Sequence, residues 1–167
     1  MYKLEKNQEV ERLIALTKSD SGVSGAELAK AHIRLGELLG IQMKGFSPSD
    51  TTVVAVLRSG IFFALGLYFQ LGCRLEMYHP KCEKFHRPET QHVIIADSVI
   101  HTGKTIEKIL DKDMTVACCV INEHAVPLFE RQLYTVRISQ NSFYGSAVKT
   151  QKGNIGPDTT MRLFNQL

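Results

Sequence analysis

The segment TTVVAVL at positions 51–57 is apolar or β-branched at nearly every residue, and this constrains the fold more than any other feature of the chain. A strand wet on one face alternates apolar with polar residues, whereas an unbroken run suits a strand covered on both faces. HVIIA at 92–96 and TVACCVI at 115–121 read the same way, LYTVRI at 133–138 is the last clear strand, and 73–78 supplies a short one. Between these runs the spacing turns helical: FFALGLYFQL runs up to Gly72, HTGKTIEKIL carries Ile106, Ile109 and Leu110, and 123–131 forms a short helix. Upstream, Leu28, Ala31, Leu35, Leu38 and Leu39 recur at intervals of three and four, so 24–39 is an amphipathic helix, with Ser24 and Glu27 at capping-box spacing. GFSPSD is a turn and HPKCEKFHRPE a polar loop. Strands alternating with helices predict an α/β fold, a mostly parallel twisted sheet flanked by helices.

The 167 residues suit one domain, divided here into an N-terminal arm at 1–22 and a domain at 23–167. Twenty Lys and Arg against 17 Asp and Glu give a net charge of +3 without a basic run, which permits an anionic small substrate. No basic patch interleaved with aromatics emerges, so nucleic acid is an unlikely partner. Four cysteines, two of them the adjacent Cys118 and Cys119 that point to opposite faces of a strand, favour a reduced, cytoplasmic setting and inert packing roles. MYKLEKNQEVERL has no apolar core segment, and the most apolar stretch, 61–71, is far short of the roughly 20 residues a bilayer requires, so no membrane partner is expected.

In open α/β sheets ligands sit beyond the carboxyl ends of the strands. Three polar edges fall there: Arg58, Ser59 and Gly60; the segment from Asp97 to Thr105; and Asn122 with Glu123. The sharpest is VIIADSVIHTGKT, in which a buried strand ends at Asp97 and Thr102, Gly103, Lys104 and Thr105 open a helix. Free amides at a helix start, two hydroxyls and a glycine make a phosphate cradle, and a carboxylate at the strand tip suits sugar hydroxyls or a metal-bound water. A nucleoside-triphosphate P-loop would need glycine where Ser98 stands. His79, Cys82 and His86 have a spacing that zinc could use, with three ligands and no fourth; the other reading is a polar loop over the site, with Lys81, Lys84 and Arg87 as pyrophosphate contacts. Phe62, Phe63, Leu65 and Phe69 are core or dimer surface.

These residues resemble the type I phosphoribosyltransferases, and the chain looks most like their uracil branch. The resemblance rests on Asp97 followed by Ser98 and the Thr102–Gly103 loop, on Leu57, Arg58, Ser59 and Gly60 in place of the branch's Leu-Arg-Ala-Gly, and on Asn122-Glu123 in place of its Pro-Glu. SGVSGAELAKAHIRLGELLG is similar to its first helix, and GPDTTMRLF to its C-terminal Gly-Asp-Ala-Gly-Asp-Arg-Leu-Phe, with Asp158 on the first acidic position and Arg162, Leu163 and Phe164 following. Met161 replaces the second aspartate, the loop at 155–157 is altered, and the segment 78–89 is shorter than the branch's flexible arm.

The resemblance implies transfer of phosphoribosyl from 5-phosphoribosyl-1-pyrophosphate (PRPP) to a nucleobase, with uracil giving UMP and pyrophosphate. It implies that Asp97, Arg58 and Asp158 are catalytic: Asp97 on the ribose hydroxyls, Arg58 on pyrophosphate and Asp158 beside the reacting end. Ser59, Gly60, His101, Thr102, Gly103, Lys104 and Thr105 would bind the phosphorylated sugar, and a C-terminal base-binding loop would read the base through the backbone of Ile155 and Gly156. Magnesium would be bound mainly through PRPP, with no dedicated protein metal site, and the branch's dimers imply a homodimer. Lys104 is an added phosphate contact or a solvated lysine, and His101 a phosphate donor once the ligand's charge raises its pKa. Glu123 is an exposed helix-start acid or a support near the base. Two other functions stay open: a phosphoribosyltransferase for another base such as a 6-oxopurine, and an inactive homologue that senses nucleotides.

Overall fold

The computed structural model describes residues 1–82 and 84–167. Six strands form the main sheet: β1 (Tyr2–Lys3), β2 (Thr51–Val56), β3 (Arg74–Tyr78), β4 (His92–Ile100), β5 (Thr115–Asn122) and β6 (Leu133–Ser139), in the order β1-β6-β5-β4-β2-β3. Every pairing is parallel, as the unbroken apolar runs predict. Three helices, α1 (Gln8–Thr17), α2 (Gly25–Gln42) and α3 (Ile61–Leu71), pack with one face of the sheet through Val10, Leu35 and Phe63. Two one-turn helices, α4 (Lys104–Glu107) and α5 (Val126–Phe129), cover the other through Ile106 and Phe129. A fully buried side chain of this kind contributes about 1.5–3 kcal/mol, so the two layers hold the sheet from both sides.

Within residues 1–22, β1 pairs with β6, and α1 packs Val10 and Leu13 into the core. The chain ends in a two-stranded ribbon, β7 (Tyr144–Ser146) with β8 (Ile155–Pro157), followed by α6 (Thr159–Leu163), whose Leu163 packs on Leu28 and Ala29 of α2.

Several expectations are corrected. Strand β4 continues three residues past Asp97, because Val99 and Ile100 pair with Val120 and Ile121; Asp97 therefore lies within the sheet and not at its tip. The helix expected over 101–110 is one turn long. Gly103 holds a left-handed φ of 77°, and after Glu107 the chain tightens into an Ile109-to-Ile106 turn that still buries both isoleucines. No capping box forms at α2, since Ser24 Oγ turns to Asn165 Oδ1 at 3.4 Å. Arg87 is not poised over a pyrophosphate: its guanidinium is paired with Asp113 at 2.6 Å and Asp111 at 3.3 Å.

The central strands share a feature that shapes the site. Register runs Asp97 to Cys118 and then Val99 to Val120, and Cys118 to Thr135 and then Val120 to Arg137. Strict alternation would put Cys118 and Ile121 on opposite faces, as it would Ile95 and Ile100 or Leu133 and Ile138, yet each pair packs into the same cluster. The parity therefore breaks at about the same level in all three strands, and Val99, Val120 and Arg137 line one cavity beyond it.

Candidate functional site

Asp97 is the centre of the site. Its Oδ1 accepts hydrogen bonds from Ser59 Oγ at 3.0 Å and from the Ser98 amide at 2.7 Å. Burial raises its pKa to about 7, against the opposing pull of the bonds from Ser59, Ser98 and Val99. Ser59 can reach it because the 57–60 loop lies directly on β4: a Cβ on Gly60 would stand 2.5 Å from the Val56 carbonyl oxygen and 2.7 Å from that of Ala96. Only glycine allows that approach. The next residue, Ser98, is fully buried; its Oγ donates to the Ser59 carbonyl at 2.6 Å and lies 3.1 Å from His32 Nδ1 on α2. His32 is held neutral, its pKa lowered to about 3 by burial and then by the positive charges of Arg162 and Arg137.

The 101–105 loop follows directly. Gly103 passes under Phe129, where a Cβ would come 2.8 Å from the ring, and this seats the loop against the α5 side of the sheet. A cavity of about 170 Å3 is lined by Asp97, Val99 and residues 100–106, so the carboxylate, two threonine hydroxyls and the leading amides of α4 share one concave wall. Lys104 is exposed along its edge, and His101 is half-buried with its ring edge-on to Tyr144 at 6.4 Å.

A second cavity, about 270 Å3, opens beside the first and shares Val99, Ile100 and His101 with it. Its walls come from both ends of the chain: Thr17 from α1, His32 from α2, Arg137 from β6, Phe143, and Asp158 and Arg162 from the C-terminal segment. Asp158 caps α6 by accepting the Met161 amide at 2.9 Å. Arg162 is 4% exposed and ties the segments together, donating to the carbonyls of Val23, Thr17 and Leu16 and to Ser21 Oγ.

The structure thus brings Asp97, Ser59 and Gly60 together with His101, Thr102, Gly103, Lys104 and Thr105, and places Asp158 on the neighbouring cavity. Arg58 is exposed, its guanidinium 5.7 Å above the Phe164 ring. Ile155 and Gly156 lie in β8 outside the cavity wall; a Cβ on Gly156 would stand 2.5 Å from the Phe143 ring. Cys118 and Cys119 are buried, and burial raises both thiol pKa values, that of Cys119 to about 12. Among the described residues no group of three or more His, Cys, Asp or Glu could hold a metal ion, His79, Cys82 and His86 included. Among them, too, no helix is long and apolar enough to cross a membrane.

Sequence reasoning missed His32, Ser98 as a hydrogen-bonding bridge, and Arg137. Two of these carried a signal: His32 is a polar residue on the apolar stripe between Leu28 and Leu35, and Arg137 is a charge inside the last buried strand.

No family model and no curated protein matches the chain. Solved structures do. The AQ2163 protein from Aquifex aeolicus is 14% identical with a TM-score of 0.65 over 86% of this chain and 91% of its own. TT1426 from Thermus thermophilus is 13% identical, with a TM-score of 0.53 over 81% of this chain and 97% of its own. An adenine phosphoribosyltransferase from Trypanosoma brucei, solved with AMP, pyrophosphate and ribose-5-phosphate, is 11% identical with a TM-score of 0.55 over 87% and 91%. At such identities the likeness concerns architecture alone: this chain has the phosphoribosyltransferase-like α/β fold.

Proposed function

We propose that the chain binds PRPP and transfers its phosphoribosyl group to a nucleobase. The observation that carries this reading is the meeting of two cavities at Val99, Ile100 and His101, one a glycine-and-hydroxyl cradle around a single buried carboxylate, the other larger and mixed in character. In this reading the 5-phosphate occupies the 101–105 loop, held by amides and by the hydroxyls of Thr102 and Thr105. Asp97 takes the ribose hydroxyls and stabilises the positive charge that develops on the ring as the C1–pyrophosphate bond breaks. Ser59 holds the Asp97 carboxylate in place, and Arg58, exposed and lying over Phe164, would swing onto pyrophosphate oxygens. The acceptor lies in the larger cavity, with its nitrogen turned towards C1 across the shared wall.

Magnesium suits this donor set. Asp97 is the one carboxylate on the wall of the smaller cavity, and a hard cation that keeps most of its oxygens from substrate and water requires few protein ligands. When bound, it would neutralise pyrophosphate charge.

The reading commits to a nucleobase as a class. Uracil rests on the sequence resemblance alone, whereas the trypanosomal protein of like fold takes adenine, so a purine acceptor is the better-supported alternative. Pyrophosphate release from PRPP and magnesium with each nucleobase in turn, and with Asp97→Ala as control, tests it. Base-dependent release abolished in the variant is the expected result. Failure of PRPP to bind would overturn the reading, and binding without turnover on any base would favour a nucleotide sensor.

A further inference from the structure

His32 links the two cavities, and its two ring nitrogens are not equivalent. On one side it meets the relay to Asp97. Ser98 Oγ gives its only hydrogen to the Ser59 carbonyl at 2.6 Å, so towards His32 Nδ1, 3.1 Å away, it can only accept. Nδ1 therefore carries the ring proton. Burial, and then the positive charges of Arg162 and Arg137, keep a second proton off the ring. A neutral imidazole that donates through one nitrogen has a lone pair at the other, so Nε2 is a fixed acceptor. His32 is 2% exposed and lines the larger cavity, and among the described residues no group donates to Nε2. The donors around it are turned elsewhere. Thr17 Oγ1 donates to the Ile14 carbonyl, and the Arg162 guanidinium to the carbonyls of Val23, Thr17 and Leu16 and to Ser21 Oγ. Arg137 Nε, on the same wall, makes no bond to the ring. A buried acceptor left without a donor is uncommon in folded proteins unless a ligand or water completes it.

We propose that His32 selects the ligand of the larger cavity, its Nε2 taking a hydrogen from a ring N–H or an exocyclic amino group of a planar nitrogen heterocycle. The proposal rests on the transferase reading only in calling that heterocycle the phosphoribosyl acceptor; the tautomer stands on Ser98 and Ser59. A ligand that turned a carbonyl oxygen or a bare ring nitrogen to this point would set lone pair against lone pair. It would also leave a buried acceptor unpaired, and a site built round a hydrogen bond rejects analogues that lack the partner more strongly than an apolar wall rejects a change of shape. Asp158 is a second acceptor on the wall, a carboxylate whose Oδ1 already takes the Met161 amide. The two ask for different groups. A carboxylate attracts cations as well as donors, whereas a neutral imidazole nitrogen offers one lone pair without net charge and so suits a neutral N–H. At about 270 Å3 the cavity has room for one such heterocycle and not for an extended ligand.

Long-range 1H–15N spectra of protein labelled with 15N-histidine test the tautomer directly. His32 is identified as the imidazole that stays neutral at about pH 5, and it is expected to carry its proton on Nδ1 and none on Nε2. Adenine, hypoxanthine and uracil are then titrated one at a time, with and without PRPP and magnesium. A base that binds should move the Nε2 resonance upfield, towards the position of a protonated nitrogen, in step with occupancy. Two variants separate the nitrogens. Asparagine sets an N–H where Nδ1 stood, which keeps the Ser98 bond and removes the cavity acceptor, while glutamine sets its amide where Nε2 stood. His32→Asn should weaken binding of that base about tenfold, the scale of a buried hydrogen bond, and His32→Gln about threefold or less. A proton on Nε2, a base that binds without moving that resonance, or no binding of any of the three bases would overturn the proposal. So would an affinity that survives His32→Asn, which would give the donor to Asp158. If the variants do not fold, the wild-type spectra and titrations decide alone. Failure of PRPP to bind removes the transferase reading and leaves the titrations made without it to decide the role of His32.

Discussion

The two adjoining cavities are built in opposite ways. The smaller comes from one contiguous stretch, 97–106, with a glycine, hydroxyls and main chain around one buried carboxylate. The larger is assembled from α1, α2, β5, β6, the ribbon and α6, and carries two guanidiniums against the one Asp158 carboxylate. Between them runs a short relay: Asp97 accepts from Ser59 Oγ, Ser98 Oγ donates to the Ser59 carbonyl, and Ser98 Oγ meets His32. One end of the relay is a buried carboxyl group and the other an imidazole held neutral, so the two cavities are coupled through hydrogen bonds and not through an ion pair. The difference also separates two kinds of arginine, Arg162 that holds the walls together and Arg137 that faces the cavity without a partner.

The largest effect expected is on Arg162. Replacing it with Leu leaves the carbonyls of Val23 and Thr17 without their donor in a buried setting and unties the N-terminal segment from α6. A loss of about 3–5 kcal/mol in urea unfolding is expected, together with loss of protection from proteolysis near residues 16–23. A loss below about 1 kcal/mol would mean that the walls of the larger cavity do not depend on it.

The two ends of the relay titrate in opposite senses. Asp97, with its pKa raised from 3.8 to about 7, keeps a proton in the folded chain that the unfolded chain releases, so its contribution weakens as pH rises across that window. His32, lowered from 6.5 to about 3, refuses a proton that the unfolded chain takes, so its contribution weakens as pH falls through the same range. Each amounts to at most about 4–5 kcal/mol, and they oppose one another. The two contributions should therefore nearly cancel between about pH 4 and 6.5. Asp97→Asn should expose a rise with pH and His32→Gln a fall, read by chemical denaturation at each pH. Parallel curves for wild type and both variants would break the comparison at this relay. On the same reading, kcat/KM for PRPP should fall below about pH 7, as Asp97 gains its proton.

Next in size is Gly60→Ala. The added methyl meets two backbone oxygens that cannot turn away, so the 57–60 loop must lift off β4 and take Ser59 with it. A loss of about 2–3 kcal/mol is expected, with weakened PRPP binding and a disturbed wall of the larger cavity, which Ser59 also lines. A loss below about 1 kcal/mol with PRPP binding intact would show that the loop does not require glycine there.

The smaller cavity was largely legible in the sequence, and the larger was not. A contiguous motif keeps its residues together however the chain folds, so Asp97, Thr102, Gly103 and Thr105 could be named from spacing and resemblance. What failed there was the length of β4 and of α4, because Val99 and Ile100 extend the sheet and Gly103 is fixed by Phe129, a contact between segments. The parallel sheet was legible for a similar reason, since covering on both faces is written in each strand separately. The larger cavity depends on pairings over long separations: Arg162 with Val23, Ser98 with His32, and the break in alternation that puts Arg137 on its wall. None of these is a local pattern, although a charge inside LYTVRI and a histidine on an apolar stripe were there to be read.

The smallest effect sharpens the contrast between the two arginines. Arg137 has no hydrogen bond from its buried Nε, and, after burial itself, its positive charge is what lowers the pKa of Arg162. Arg137 pairs in register with Val120 and lines the same wall, so methionine can replace its aliphatic stem while removing the charge. Arg137→Met should therefore leave stability unchanged or raise it by about 1 kcal/mol, a shift of about 2–4 °C in Tm for a domain of this size. High salt should narrow the difference by screening the repulsion in the wild type. Set against the collapse expected for Arg162→Leu, that result would mark Arg137 as kept for a ligand and not for the fold. A loss above about 1 kcal/mol would place both arginines among the groups that hold the walls together.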